Sequence, residues 1–231
     1  MPLAGLLTTV NIYSIMPPSS SDPRLQALLS SPHLWRAETP ESLPGSPSSA
    51  GFAGIASGHA LLDAALPWQG WPRSALVEII SPVCGAGELQ LVLPLLRTLS
   101  EEQQWSIWVA PPMSPYAPGL LGAGVDPARN ILVTPTPAQR LWTLEKSLQS
   151  PACALVLGWP GLLSGKHIRR LQLAARKGRT LGILFHPRNI RHSASVLRLA
   201  THTRGDTLQV QVLKARGSYR KDAFAIRLEL P

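Results

Sequence analysis

Residues 78 to 91, EIISPVCGAGELQL, have the layout of a phosphate-binding loop. β-branched residues end a strand, a glycine-bearing turn follows, and an apolar helix begins. Such loops use GxxxxGK[ST]: glycines bring backbone N–H groups onto the phosphates, lysine reaches the β- and γ-phosphates, and the hydroxyl holds Mg²⁺. Here Ser81 takes the first glycine position, Gly85 lies in the turn and Gly87 comes one residue late. Glu88 stands where lysine belongs, and Leu89 replaces the Ser or Thr. A carboxylate about 4 Å from a phosphate charge costs roughly 1 kcal/mol per pair in water-like surroundings and about 4 at an intermediate dielectric. Over a triphosphate this amounts to about a thousandfold or more in affinity, at about 1.4 kcal/mol per decade. Glu88 fits the first turn of a helix instead, where the positive end of the dipole favours an anion. The loop therefore predicts neither a nucleotide cofactor nor hydrolysis.

The elements that hold this loop alternate at short spacing. SALVEII (74 to 80), WSIWVA (105 to 110), NILVT (130 to 134), ACALVLGW (152 to 159) and TLGILF (180 to 185) read as strands. Most are continuously apolar, as strands buried on both faces of a parallel sheet are. Helical signals lie between them: GELQLVLPLLRTL (87 to 99), which Pro94 must kink or end, then SPYAPGLLGAG, PAQRLWTLEKSLQS and SGKHIRRLQLAARKG. After residue 193 the pattern changes to alternation in ASVLRLATH, TLQVQVLKA and DAFAIRLEL, which predicts antiparallel strands with one wet face. The implied fold class is α/β, a mostly parallel sheet flanked by helices with antiparallel strands at the C-terminal edge.

The 231 residues suffice for one full domain over 51 to 231 and an arm over 1 to 50. The arm holds eight prolines and the runs PPSSSDP and PGSPSSAG, which bury little. Within it, DPRLQALLSSPHLW (22 to 35) reads as one short amphipathic helix. The peptide TVNIYS (9 to 14) can be encoded by DNA that carries spaced CTG and CAG operator half-sites, so residues 1 to 15 are read as an upstream extension ahead of Met16. No apolar run reaches the roughly 18 residues of a membrane span. With no secretory signal in the N-terminal stretch, the expected location is the cytoplasm. Two cysteines without CxxC or His/Cys spacing point to neither a disulfide framework nor a metal site. The tryptophans sit in or beside apolar strands, as core residues do.

Charge is the strongest remaining signal. Residues 1 to 163 carry 7 Lys/Arg against 10 Asp/Glu, whereas residues 164 to 231 carry 15 against 3. A net +12 on the last third implies a polyanionic partner, either nucleic acid or an acidic protein. Three patches carry it: Arg188, Arg191 and His192 in HPRNIRHSAS; Lys166, Arg169, Arg170, Arg176, Lys177 and Arg179 along one helix; and Lys214, Arg216, Arg220 and Lys221 around Tyr219. Phosphate contacts would supply affinity without sequence readout, while solvated loops and helix faces explain the same residues without any ligand.

The order of IASGHALLDAAL, GWPRSALVEIISP, YAPGLLGAGVDPARNILVTPTPAQRLW and LQVQVLKARGSYRKDAFAIRLEL resembles the RecA core over residues 51 to 231. Two acidic positions of that family fall here at APP (110 to 112) and at Gly158-Trp159, which removes the catalytic glutamate and the magnesium aspartate. The same resemblance makes HPRNIRHSAS the counterpart of the family's second DNA-binding loop. Within RecA-like proteins, LVLPLLRTL, WSIWVAPP, ALVLGWPGLL and LGILFHP resemble two SOS-response families, ImuA and SulA. SulA proteins lack the SGHALLDAAL lead-in and most of the closing strands, whereas the resemblance to ImuA covers more of the chain, including LQALLSSPHLWR and LKARG, and so is the nearer of the two. That implies a non-catalytic accessory factor of error-prone translesion synthesis and DNA repair. Its partners would be an ImuB-like relative of Y-family polymerases, a DnaE-type polymerase, DNA and RecA. The alternative is a SulA-like division inhibitor that binds FtsZ.

Overall fold

The computed structural model describes residues 54–83, 85–187, 193–218 and 221–228. The expected arm and its short helix lie outside these residues. The described chain forms one eight-stranded sheet in the order β3-β2-β4-β5-β1-β6-β7-β8. The strands are β1 (Leu76–Ile80), β2 (Trp105–Val109), β3 (Asn130–Val133), β4 (Cys153–Gly158), β5 (Leu181–His186), β6 (Leu197–Arg204), β7 (Thr207–Ala215) and β8 (Ala223–Arg227). Strands β1 to β6 are parallel; β7 pairs antiparallel with β6, and β8 pairs antiparallel with β7.

One expectation changes here. ASVLRLATH forms β6, which pairs parallel with β1 on one side and antiparallel with β7 on the other, so it joins the parallel sheet to its antiparallel edge. Its first half is buried on both faces, unlike the one-sided burial that alternation predicts. The alternation is real in β7, where Leu208, Val210 and Val212 point inward between exposed Gln209 and Gln211.

Helices cover both faces. They are α1 (Ala60–Ala65), α2 (Leu93–Glu101), α3 (Ala117–Gly122), α4 (Arg140–Leu148) and α5 (Gly165–Gly178). Pro94 neither kinks nor ends a helix: a 3₁₀ turn over Glu88–Leu91 precedes it, and it sits in the first turn of α2. Its missing N–H is one that a helix start leaves unpaired anyway. Helix α5 begins at Ser164, whose hydroxyl accepts from the His167 N–H at 3.4 Å, and ends where Arg179 turns left-handed.

The strand alternation sorts the core into two layers. Val77 and Ile79 of β1 pack with Leu91, Leu95, Leu96 and Leu99 under α2, together with Leu120 of α3. Leu76 joins Leu144, Leu148, Ile168, Leu171 and Ala175 under α4 and α5. Each such buried aliphatic side chain contributes about 1.5–3 kcal/mol. At the carboxyl ends of β2, β4 and β5, Trp108, Trp159 and Phe185 stack with ring centroids 5.9 and 4.8 Å apart. Trp105 and Trp142 depart from the core expectation: Trp142 is exposed on α4, and Trp105 is partly exposed near the β3 edge, with the Arg129 guanidinium 5.2 Å from its ring centre.

Candidate functional site

In an open α/β sheet the carboxyl ends of the strands are where loops gather and sites form. The loop after β1 lies there and is held on several sides. Ser81 N–H donates to the His186 carbonyl at 3.2 Å, and the Ser81 hydroxyl donates to the Val83 carbonyl at 2.7 Å. The Thr203 hydroxyl of β6 donates to the Ala86 carbonyl. Gly85 and Gly87 have φ of +80° and +96°, a region that side chains avoid. At Gly87 an added Cβ would also lie 2.8 Å from the Leu228 side chain. Glu88 is 4% exposed; its Oε1 accepts from the Gly85 N–H at 2.7 Å, while Oε2 has no partner among the described residues. Ser81, Gly85, Gly87 and Glu88 thus come together as one turn, with the carboxylate folded back onto the glycine backbone.

The basic residues separate. Lys166, Arg169 and Arg170 are exposed on α5 and line, with Glu145, Leu173 and Lys177, a shallow groove of about 350 Å³ against α4. Arg170 pairs with Glu145, and that hydrogen bond holds the Glu145 carboxyl below the usual carboxylate range. Arg216 and Lys221 are exposed. Lys214 faces inward: its Nζ donates to the carbonyls of Ser193 and Ser195 at 2.8 and 2.7 Å. Burial, with Arg198 beside it, pushes its ammonium pKa down. Arg188, Arg191, His192 and Arg220 lie outside the described residues, as does Tyr219.

A polar cluster that motif reading missed lies under β1. Glu78, at mid-strand, is fully buried. One oxygen meets His186 Nε2 at 3.0 Å; the other accepts from the hydroxyls of Ser193 and Ser195 and lies 3.3 Å from Arg198 Nε. Burial alone would raise the Glu78 pKa, but the bonds from His186, Ser193 and Ser195 and the charge of Arg198 outweigh it and hold the carboxyl below its ordinary value. The signal was present as a lone acid in the apolar strand LVEII and a lone arginine in LRLAT. In the parallel pairing of β1 and β6, Glu78 and Arg198 are register partners.

On the opposite face an open groove of about 930 Å³ runs between α2, α3 and β8. Leu89, Leu93, Pro94, Leu120 and Ile226 form its apolar surface, and His59, Arg97 and Tyr116 supply polar groups. Tyr116 is 73% exposed. Nearby at the carboxyl edge, Val83, Met113 and Leu121 are also exposed, and an added Cβ at Gly85 would touch the Met113 methyl at 3.4 Å. Among the described residues no group of three or more His, Cys, Asp or Glu could hold a metal ion, and no helix is long and apolar enough to cross a membrane.

Comparison with known proteins resolves the family. The sequence profile described as "Cell division inhibitor SulA" matches residues 82–182. The SulA of Photorhabdus laumondii subsp. laumondii is 32% identical over 122 residues, covering 52% of this chain and 67% of that protein. The SulA of Edwardsiella piscicida is 30% identical over 118 residues, covering 50% and 70%. The crystal structure of SulA from Pseudomonas aeruginosa aligns at 27% identity with a TM-score of 0.41, over 48% of this chain and 98% of that one. These sequence matches overturn the ImuA resemblance, and with it the role in translesion synthesis and DNA repair and the ImuB-like, DnaE-type, DNA and RecA partners. LQALLSSPHLWR and LKARG, which favoured ImuA, lie outside residues 82–182, whereas the shared motifs LVLPLLRTL, WSIWVAPP and ALVLGWPGLL lie within them and LGILFHP begins at their end. The chain belongs to the SulA cell-division-inhibitor family.

Proposed function

We propose that this protein is a non-catalytic inhibitor of cell division in the SOS response, acting on a RecA-like core by binding FtsZ. The observation that carries this reading is the open groove between α2, α3 and β8, most of whose lining falls within the matched residues 82–182. An apolar groove with exposed Tyr116 at its rim and Arg97 along its wall has the composition of a protein interface, where tyrosine and arginine dominate binding energy. The degenerate phosphate loop supports the same reading. Glu88 bonds the turn that a phosphate would otherwise occupy, and a buried carboxylate there repels a triphosphate. The strand, turn and helix entry serve architecture and the surface serves recognition.

Immobilised full-length protein should retain purified FtsZ, and Tyr116→Ala should weaken retention by about tenfold or more, the size of an aromatic hot spot. Wild-type protein that fails to retain FtsZ would sink the reading.

A further inference from the structure

We propose that the face formed by α4 and α5 is a second docking surface, taking an acidic helical segment of another protein that carries an aliphatic anchor. It lies on the opposite side of the sheet from the groove assigned to FtsZ, since α2 and α4/α5 pack on alternate residues of β1. The proposal therefore stands whether or not FtsZ is the partner of that groove.

The outward side of α5 presents Lys166, Arg169, Arg170, Leu173 and Lys177, all exposed. At about 1.5 Å of rise per residue they form a stripe roughly 16 Å long. Arg170 is engaged by Glu145. Among the described residues no carboxylate lies within ion-pair distance of Lys166, Arg169 or Lys177. Leu173 sits between these cations with 57% of its surface in water, and Ala174 lines the same groove. A helix that leaves a leucine exposed among cations, most of them without an ion pair among the described residues, is complementary to a helix bearing carboxylates on either side of an aliphatic residue.

Nucleic acid fits the lining less well. Proteins that hold single strands stack bases on aromatic rings, and the described residues that line the groove include none, the exposed Trp142 of α4 lying outside that lining. Duplex backbones are met by cations, hydroxyls and backbone N–H groups, whereas here Leu173 offers phosphate nothing and the Glu145 carboxylate faces it.

Fluorescence anisotropy on the full chain tests the assignment with two labelled probes: a helical peptide of repeating glutamates with a leucine on each turn, and an oligothymidylate. The peptide should bind, should lose affinity by about tenfold or more in Arg169→Glu/Lys177→Glu, and by about threefold or more in Leu173→Ala. The uncharged pair Arg169→Gln/Lys177→Gln should fall between wild type and the reversal, which guards against a misfolded variant. Oligothymidylate binding should be weaker and indifferent to Leu173→Ala. Tighter binding of oligothymidylate than of peptide, no effect of Leu173→Ala on the peptide, or no peptide binding by wild type would each overturn the proposal.

Discussion

Two buried glutamates ten residues apart, Glu78 and Glu88, solve the same physical problem in opposite ways. Glu78 lies in the middle of β1 with no exposed surface, and both its oxygens are engaged by His186, Ser193, Ser195 and Arg198. Glu88 lies at the first turn after the loop, with one oxygen on the Gly85 N–H and the other without a partner among the described residues. Burying an ion is costly, and only dense pairing returns that cost. Glu78 therefore acts as a clasp between β1, β5, β6 and the segment that enters β6. Glu88 closes a single turn, helped by the start of a short 3₁₀ turn.

The sharpest way to break the comparison is to remove each carboxylate. Glu78→Ala strands the Arg198 guanidinium and the hydroxyls of Ser193 and Ser195 in the core. Breaking one partner of such a buried pair costs about 3–5 kcal/mol. Urea unfolding should show that loss as a lowered midpoint with an unchanged slope. A loss under about 1 kcal/mol would mean that water reaches the cluster and that the clasp is solvated.

This asymmetry also explains what the sequence disclosed. Glu88 was visible because a motif fixes where a lysine should be, so its replacement stood out at once. Glu78 belongs to no motif; its partners come from residues 186 to 198, and only the pairing of β1 between β5 and β6 brings them together. The strands were legible because continuous apolar runs admit few other readings. The direction of β6 was not, since half-alternating sequence fits either sense of pairing until its neighbour is known. Lys214 read as one of several surface cations, yet the carbonyls of Ser193 and Ser195 draw it inward, which composition cannot foresee. The family was legible down to a pair of related alternatives, and the lengths of chain outside the shared core tipped the choice the wrong way.

Acid should bear on Glu78 next. The Glu78 carboxyl is held below the ordinary 4.5, so between the two values the unfolded chain binds the extra proton. Stability from Glu78 is complete above 4.5 and is lost as pH falls below that value through the folded pKa. Between about pH 6 and pH 3, wild-type protein should lose more unfolding free energy than Glu78→Gln, which has no such proton to take up. Equal losses in the two proteins would place the acid sensitivity on other carboxylates, Glu145 first, because Arg170 holds it low as well.

The smallest effect is expected at Glu88. Glu88→Gln keeps an oxygen that can accept from the Gly85 N–H and replaces the buried Oε2, which has no partner among the described residues, with an uncharged amide group. Less of the desolvation penalty then remains, and the attraction to the helix start that offsets it is only about 0.3–1 kcal/mol. Stability should change by no more than about 1 kcal/mol in either direction, far less than in Glu78→Ala. A larger loss would show that the negative charge itself, and not the bond to Gly85, holds the turn. In that case the anion position of the loop would be filled by a carboxylate whose charge the fold requires, and the contrast with Glu78 would be one of partner number alone.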